Sequence, residues 1–261
     1  MKTHYTMDRR KMLKLTGTAL AGSAVLGTDA FAGSSLNSNN IAGTPGKGKK
    51  AMIIGAHPDD PETGCGGTIM VLKKAGYEVV VVYMTRGEAG VPGWSHEQSS
   101  ATRMKEAREA CEVFGVRPIF LTQIDGSSEV NKERYAEMKE VIEKENPQIV
   151  FTHWPIDSHR DHRICSILTY DAWRQLKYGF DLYYYEVMSG VQSMIFHPTD
   201  WVDITEFADV KKKATYCHKC QNPEDWYDSS HGQMEIFRGM EHNCKRAEAF
   251  IHIRRTGNDI L

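Results

Sequence analysis

The chain has 261 residues, 41% of them hydrophobic and 25% charged, an ordinary globular composition with enough length to bury a core without disulfide staples. Its 32 Lys+Arg against 34 Asp+Glu leave a formal net charge of −2 with no long run of one sign, which argues against a dedicated nucleic-acid surface. The only extended apolar stretch is short and lies at the extreme N-terminus, so a membrane-spanning protein is not expected, and no fixed period recurs.

The first segment reads as an address. Asp8-Arg9-Arg10-Lys11-Met12-Leu13-Lys14 is basic with paired arginines, a weakly apolar run rich in Ala, Gly and Thr follows, and Ala30-Phe31-Ala32 is a small-x-small cleavage site. The pattern resembles a twin-arginine export signal over residues 1–32 and predicts an exported, periplasmic protein; a disordered basic tail is the competing reading. Residues 33–49 are Gly/Ser/Asn/Lys-rich and read as a flexible lead-in, and residues 50–261 as a single domain.

From residue 50 the pattern is strand, loop, helix, repeated. Residues 50–56 form a continuous apolar run, as expected of a strand buried on both faces, and a helix is predicted over 66–75, stopped by Gly76. Residues 78–84, dominated by β-branched side chains, are the clearest strand, followed by a Gly/Pro-bearing loop to about residue 96. A helix is expected over 99–114 with Gly115 as its stop, then a strand over 117–121 and a charged amphipathic helix over 131–144 that halts before Asn146-Pro147. A fourth strand over 148–152 and a helix over 160–176 complete the regular part. Beyond residue 181 the pattern loosens into strands over 182–187, 201–204 and 249–253, a helix over 206–220 and a long loop over 221–239. The alternation predicts an α/β fold, a Rossmann-like three-layer sandwich with a mostly parallel central sheet.

Six cysteines are too scattered for a compact disulfide framework. Cys111 and Cys165 read as small buried apolar residues, while Cys217 and Cys220 are a C-x-x-C that a helix with two cysteines one turn apart explains better than a redox pair or half a zinc site. Of the late aromatics, Tyr183, Tyr184, Tyr185, Trp201, Trp226 and Tyr227 could rim a sugar site, but core packing is the more economical role.

The chemistry concentrates at strand ends, where open α/β sheets bind their ligands. The first strand runs into His57-Pro58-Asp59-Asp60-Pro61-Glu62, and the fourth into His153-Trp154-Pro155-Ile156-Asp157-Ser158-His159-Arg160-Asp161-His162. Adjacent carboxylates beside an imidazole on a tight loop are costly unless they share a positive charge, and a cation is the simplest one. His159 and His162, three apart at a helix start, can face one point. Two imidazoles and a carboxylate with one position open are a common catalytic zinc set.

These residues resemble the PIG-L/LmbE-like N-deacetylase family. Ala56-His57-Pro58-Asp59-Asp60-Pro61-Glu62 with Gly64-Cys65-Gly66-Gly67-Thr68 is similar to its first signature, Thr85-Arg86-Gly87-Glu88-Ala89-Gly90 to its loop after the second strand, and His159-Arg160-Asp161-His162 to its later H-x-D-H motif. The segment with Arg103, Glu106, Ala107 and Gly115, and His218-Lys219-Cys220-Gln221, complete a resemblance that spans roughly residues 50–250. It implies that His57, Asp60 and His162 hold one Zn²⁺, or another divalent metal, per chain. It implies that Asp59 is the general base, and that His159 stabilises the oxyanion or protonates the leaving amine with Asp161 tuning it. Arg86 and Glu88 become candidate substrate contacts; the planar Arg fork suits hydroxyls or phosphate, with a loop-anchoring salt bridge as its alternative. Cys220 stands where a Ser is common in the family, and Pro61 where the pattern varies.

The implied activity is removal of an acetyl group from an N-acetylated amino sugar or its conjugate. The implied partner is a small-molecule or glycan substrate, with no nucleic acid, no stable membrane insertion, and homo-oligomerisation left open. An amidase of a larger amide and a catalytically silent carbohydrate-binding protein are the rivals. A nucleotide-binding oxidoreductase rests only on Gly64-x-Gly66-Gly67, whose acidic approach would repel a pyrophosphate.

Overall fold

The structure, a computed structural model, describes residues 48–254; the segment read as an export signal and residues 33–47 of the lead-in lie outside the described residues. Strand β1 (Lys50–Gly55) carries Met52, Ile53 and Ile54 with no exposure, because it is central: it pairs in parallel with β2 (Glu78–Tyr83) on one side and β4 (Ile149–His153) on the other. The register sets Ile53 beside both Val81 and Phe151. A strand covered on both faces has no polar side, which is why these sequences are continuous rather than alternating.

Beyond β2 lies β3 (Arg117–Phe120) and beyond β4 lies β5 (Asp181–Tyr185), all parallel. Strand β7 (Ala247–Ile253) then inserts antiparallel between β5 and β6 (Asp200–Asp203), giving the order β3-β2-β1-β4-β5-β7-β6. One face of the sheet is covered by α1 (Asp60–Lys74), α2 (His96–Phe114) and α5 (Ala208–Thr215), through Ile69, Leu72, Phe114 and Ala214. The other is covered by α3 (Lys132–Glu145) and α4 (Arg160–Gln175), through Met138, Ile142, Leu168 and Trp173. The expected three-layer sandwich is therefore present. Helix ends follow local chemistry: the Ser95 hydroxyl accepts from Gln98 N–H at 3.1 Å, and Gly115 closes α2 at φ 64°.

Three expectations need correction. Helix α1 begins at Asp60, six residues before the predicted start, with Pro61 in its first turn beside Asp60 and Glu62. Gly64, Gly66 and Gly67 therefore lie inside a helix, where a Cβ would run into Tyr185, the Lys211 stem and Ile204 respectively. They serve close packing of α1, so the resemblance to a dinucleotide fingerprint has no loop to act through. Second, the helix predicted over 206–220 ends at Thr215; a 3₁₀ turn (Lys219–Gln221) follows, so Cys217 and Cys220 do not share a helix. Third, the predicted loop over 221–239 contains α6 (Pro223–Trp226) and α7 (His231–Glu241). All six cysteines are free thiols, with Cys111 and Cys165 buried as expected. Tyr183, Tyr184, Tyr185 and Tyr227 are core residues, and among the described residues no helix is long and apolar enough to cross a membrane.

Candidate active site

Chain order reverses between β1 and β4: β1, β2 and β3 progress to one side, β4 and β5 to the other. The crevice beyond their carboxyl ends is the place an open α/β sheet reserves for ligands. Gly55 ends β1 with no room for a Cβ, which would meet Pro61 Cδ at 2.6 Å, so the chain turns at once into the first motif. The His57 N–H donates to Asp60 Oδ2 at 2.7 Å, and Asp60 opens α1.

Asp59 precedes that helix at φ 121°, ψ −30°, a conformation that L-residues avoid. Its carbonyl accepts from Thr63 N–H at 3.0 Å, and its carboxylate is gripped by Arg103, with Nη2 2.6 Å from Oδ2. Arg103 also donates to the Pro58 carbonyl and fills the space left by Gly87 and Gly90. The strained backbone aims consecutive carboxylates apart: Asp59 towards Arg103, Asp60 towards the histidines.

His57, Asp60 and His162, the expected metal ligands, are all buried neighbours. Asp60 Oδ2 is 3.2 Å from His57 Nδ1, Asp60 Oδ1 is 3.4 Å from His162 Nε2, and the two imidazole centroids are 5.3 Å apart. His159, the N-cap of α4, completes a three-histidine set with His57 and His162; Asp60, His153 and His162 form a second set, and His57, Asp125 and Asp161 a third. Within each set the donor atoms lie within 4.8 Å of one another. Asp157 lies behind His162, Oδ1 3.2 Å from Nδ1, and accepts from the His159 N–H at 2.7 Å and from Ser193 Oγ at 3.0 Å.

The carboxylates dominate the electrostatics of this cluster. Burial alone would lower the pKa of His57, yet Asp125, Asp161 and Asp60 hold it well above 6.5. Burial likewise opposes protonation of His162, but Asp60 and Asp157 raise it to about 9. For Asp60 burial is outweighed by His162 and His153, which keep it well below 3.8. The carboxylates thus set a strongly negative field at these imidazoles, and among the described residues the buried Asp161 Oδ1 and His153 Nδ1 have no hydrogen-bond partner. Imidazole nitrogens and carboxylate oxygens converging in this way fit zinc or another divalent ion.

Asp161 was expected beside His159. Its carboxylate instead lies 3.2 Å from His57 Nε2 and accepts from Gly126 N–H at 2.7 Å, and it is held down to about 2, burial being outweighed by His57. Its backbone N–H donates to His159 Nδ1 at 3.3 Å, and its carboxylate acts on the His159 ring only through space, opposing the lowering of its pKa by burial. Arg86 is half-buried and Glu88 buried, and neither is among the residues lining the cleft. The Glu88 carboxylate accepts from the N–H groups of Arg86, at 3.2 Å, and Asp125, at 3.1 Å, so it braces the loop after β2 against the segment carrying Asp125.

Arg103, Asp125, His153 and Asp157 were not singled out as site residues from the sequence. Asp125 lies in no motif, and a lone histidine ending a strand reads as core. Cys220, in the position where the family resemblance leads one to expect a Ser, donates through Sγ to Glu106 Oε2 at 2.9 Å. Above the cluster opens a cleft of about 570 Å³, lined by His57, Asp59, Asp60, Arg103, Asp125 and His159, among others.

Comparison with known proteins agrees with this geometry. Residues 52–173 match the family described as PIG-L, GlcNAc-PI de-N-acetylase. The diacetylchitobiose deacetylase of Thermococcus kodakarensis is 31% identical over 204 residues, 69% of this chain and 73% of that protein. The solved structure of the N,N′-diacetylchitobiose deacetylase from Pyrococcus horikoshii is similar with a TM-score of 0.69 at 27% identity, covering 78% of this chain and 84% of that one. A 4-oxalmesaconate hydratase of Pseudomonas putida is 26% identical over 132 residues, 48% of this chain and 51% of that protein.

Proposed function

Because the chain belongs to the PIG-L/LmbE-like N-deacetylase family, we propose that it is an exported, zinc-dependent hydrolase that removes the acetyl group from an N-acetylated amino sugar or its conjugate. The observation that carries the reading is Asp59, strained and tied to Arg103 in the wall of an open cleft whose floor is the His57, Asp60 and His162 cluster.

A divalent ion held by His57, Asp60 and His162 would acidify a water and polarise the amide carbonyl. The chain's own groups supply the proton traffic. Burial raises the Asp59 pKa, with Arg103 opposing and Asp60 adding, so its carboxylate is a better proton acceptor than an exposed one. Asp59 takes one proton from the attacking water as the oxygen bonds to the carbonyl carbon. The carbon–nitrogen bond then breaks, and Asp59 returns the proton to the departing nitrogen. Acetic acid and the amine result, and the acid's remaining proton passes to the amine or to solvent to leave acetate.

His159 is suited to the carbonyl oxygen as it gains charge. Its Nδ1 accepts the Asp161 N–H, which leaves the ring proton on Nε2 as a donor. Burial, with His57 and His162, lowers its pKa from 6.5, which favours the neutral ring as a hydrogen-bond donor. Of the two roles that the resemblance implies for His159, this favours the oxyanion donor.

The test is metal content of the purified full chain, with acetate release from N,N′-diacetylchitobiose before and after chelation. About one zinc per chain, with release lost on chelation and restored by zinc, supports the reading. Full activity in the chelated protein overturns it. Release of only a larger acid from a bulkier amide would favour the amidase. Water addition to an unsaturated acid without acetate release would favour the chemistry named for the hydratase relative.

A further inference from the structure

The motif His218-Lys219-Cys220-Gln221 lies beyond the segment 52–173 that matches the family, and the proposed chemistry assigns it nothing. It forms the turn between α5 and α6, and three of its side chains each reach a different element. The His218 ring is fully buried, 3.3 Å from Glu62 Oε1 in the first turn of α1, an oxygen that also accepts from the Tyr83 hydroxyl. Cys220 is held by Glu106 of α2 at two points: its N–H donates to Oε1 at 3.0 Å and its thiol to Oε2 at 2.9 Å. Gln221 Nε2 donates to the Gly90 carbonyl, in the loop after β2, at 3.0 Å.

Those three elements converge on Asp59. Helix α1 starts at the next residue, and the loop after β2 packs Gly87 and Gly90 so closely on the Arg103 side chain that a Cβ on either would strike it. Arg103 stands on α2 one turn before Glu106, so the two project from one face of the helix, and both are buried. A long arginine side chain keeps a single geometry only where its surroundings leave no other, because fixing its rotamers costs entropy. Here Glu106 holds Cys220 and the next residue, Gln221, holds Gly90. Gly90 in turn closes over the guanidinium whose Nη2 lies 2.6 Å from Asp59 Oδ2.

We propose that Glu106 and Cys220 are positioning residues for the deacetylation: through the turn they clasp, they fix Arg103 and with it the direction of the Asp59 carboxylate. This deepens the proposed function and rests on it. Neither Glu106 nor Cys220 is among the residues lining the cleft, so they act without touching a substrate held there. Loosening the clasp should therefore lower kcat while leaving KM and zinc content nearly unchanged, a split that general destabilisation does not produce.

The test uses the zinc-loaded full chain as wild type, Cys220→Ala, Cys220→Ser, Glu106→Gln, Arg103→Met and the Arg103→Met/Glu106→Gln double variant. Circular dichroism confirms the fold and metal analysis the zinc content. Acetate release from N,N′-diacetylchitobiose gives kcat and KM, and crystal structures of Cys220→Ala and Glu106→Gln give the Arg103–Asp59 contact. Cys220→Ala loses the thiol bond and should lower kcat about five- to tenfold, with KM within about twofold of wild type. Cys220→Ser keeps a donor and should recover most of that rate. Glu106→Gln turns one acceptor oxygen into a donor and should lower kcat by about tenfold or more in wild type, but by less than about twofold in Arg103→Met, because residues that act through one group are not additive.

Unchanged kcat in either folded Cys220→Ala or folded Glu106→Gln overturns the positioning role. An equal loss from Glu106→Gln with and without Arg103 also overturns it, because the clasp would then act on the fold in general. So does a loss of kcat that follows zinc content, which would place the effect on the metal ligands. If Glu106→Gln does not fold, the kcat and KM split in Cys220→Ala and its rescue in Cys220→Ser decide alone. If wild type releases no acetate, the deacetylase reading falls and the crystal structures decide: Arg103 displaced from Asp59 upholds the clasp, and an unmoved Arg103 overturns it.

Discussion

Asp59 and Asp60 are adjacent carboxylates with opposite surroundings, and the backbone between them is where the site stores strain. Only Asp59 sits at φ 121°, and it is held there by Arg103 and by the Thr63 N–H on its carbonyl. Asp59→Asn keeps the shape and removes the basic oxygen, so acetate release should fall by about 10²–10⁴-fold with zinc content unchanged. Loss of zinc in step with activity would instead make Asp59 a ligand, and paired metal analysis and kinetics separate the two. Asp157 makes the complementary case. It reaches the candidate metal cluster through His162, 3.2 Å away, and through the backbone N–H of His159, so Asp157→Ala should weaken zinc binding by about 10–100-fold while leaving the ligand residues in place. Competition with a chelating dye measures that shift, and an unchanged affinity would mean that packing alone orients His162. The motif residues His57, Asp60, His159 and His162 were legible because two strands deliver them in short, dense clusters. Asp157 was not, because a residue behind a candidate ligand carries no signature of its own.

Helix α1 illustrates how packing overrides propensity. Gly64, Gly66 and Gly67 make a poor helix by composition, and the sequence reading starts the helix only at Gly66, leaving the residues from Asp60 to Cys65 outside it. They are helical because Tyr185, the Lys211 stem and Ile204 occupy the space where side chains would be, and no local pattern encodes those distant neighbours. Gly67→Ala, which would gain helix propensity in isolation, should therefore destabilise by about 1–3 kcal/mol through overpacking against Ile204. At roughly 2–4 °C per kcal/mol for a chain of this size, scanning calorimetry should see a lower melting temperature; a rise would mean that the segment carrying Ile204, just after β6, yields freely. Helix α7 was missed for a different reason. Its inward positions His231, Glu235 and Arg238 follow helical spacing, yet they are ionisable, while the apolar Ile236, Phe237 and Met240 are exposed, so the hydrophobic period points away from the core. Glu235 lies 3.1 Å from the buried Lys211 Nζ, and Arg238 Nε lies 2.6 Å from Glu186. The helix is fastened by ion pairs that only the folded chain reveals.

At the scale of the molecule, the strand–helix alternation was enough to predict a mostly parallel sheet with its ligands at the strand ends. The insertion of β7 between β5 and β6 was not predictable, since pairing Tyr184 with Ile251 depends on contacts far apart in sequence. That insertion brings Glu248 to Lys211, at 2.8 Å, and its carboxylate also accepts from the Gly67 and Thr68 N–H groups of α1. The resulting buried ammonium is a fixed positive charge near His231, and together with burial it makes the stability of the whole fold sensitive to acid. The unfolded His231 takes a proton below about 6.5, whereas the folded ring resists until about 4. Between those values the unfolded state binds more protons, so stability is lost as pH falls through the window and is fully present above it. Going from about pH 7 to about pH 4.5 should cost wild type roughly 2–3 kcal/mol more than His231→Leu, which has no proton to gain. Urea unfolding of both proteins at the two pH values measures the difference directly. Equal acid losses would mean that His231 relaxes into solvent on protonation, and that its edge-on contact with Trp226, ring centroids 5.5 Å apart, is softer than that distance implies.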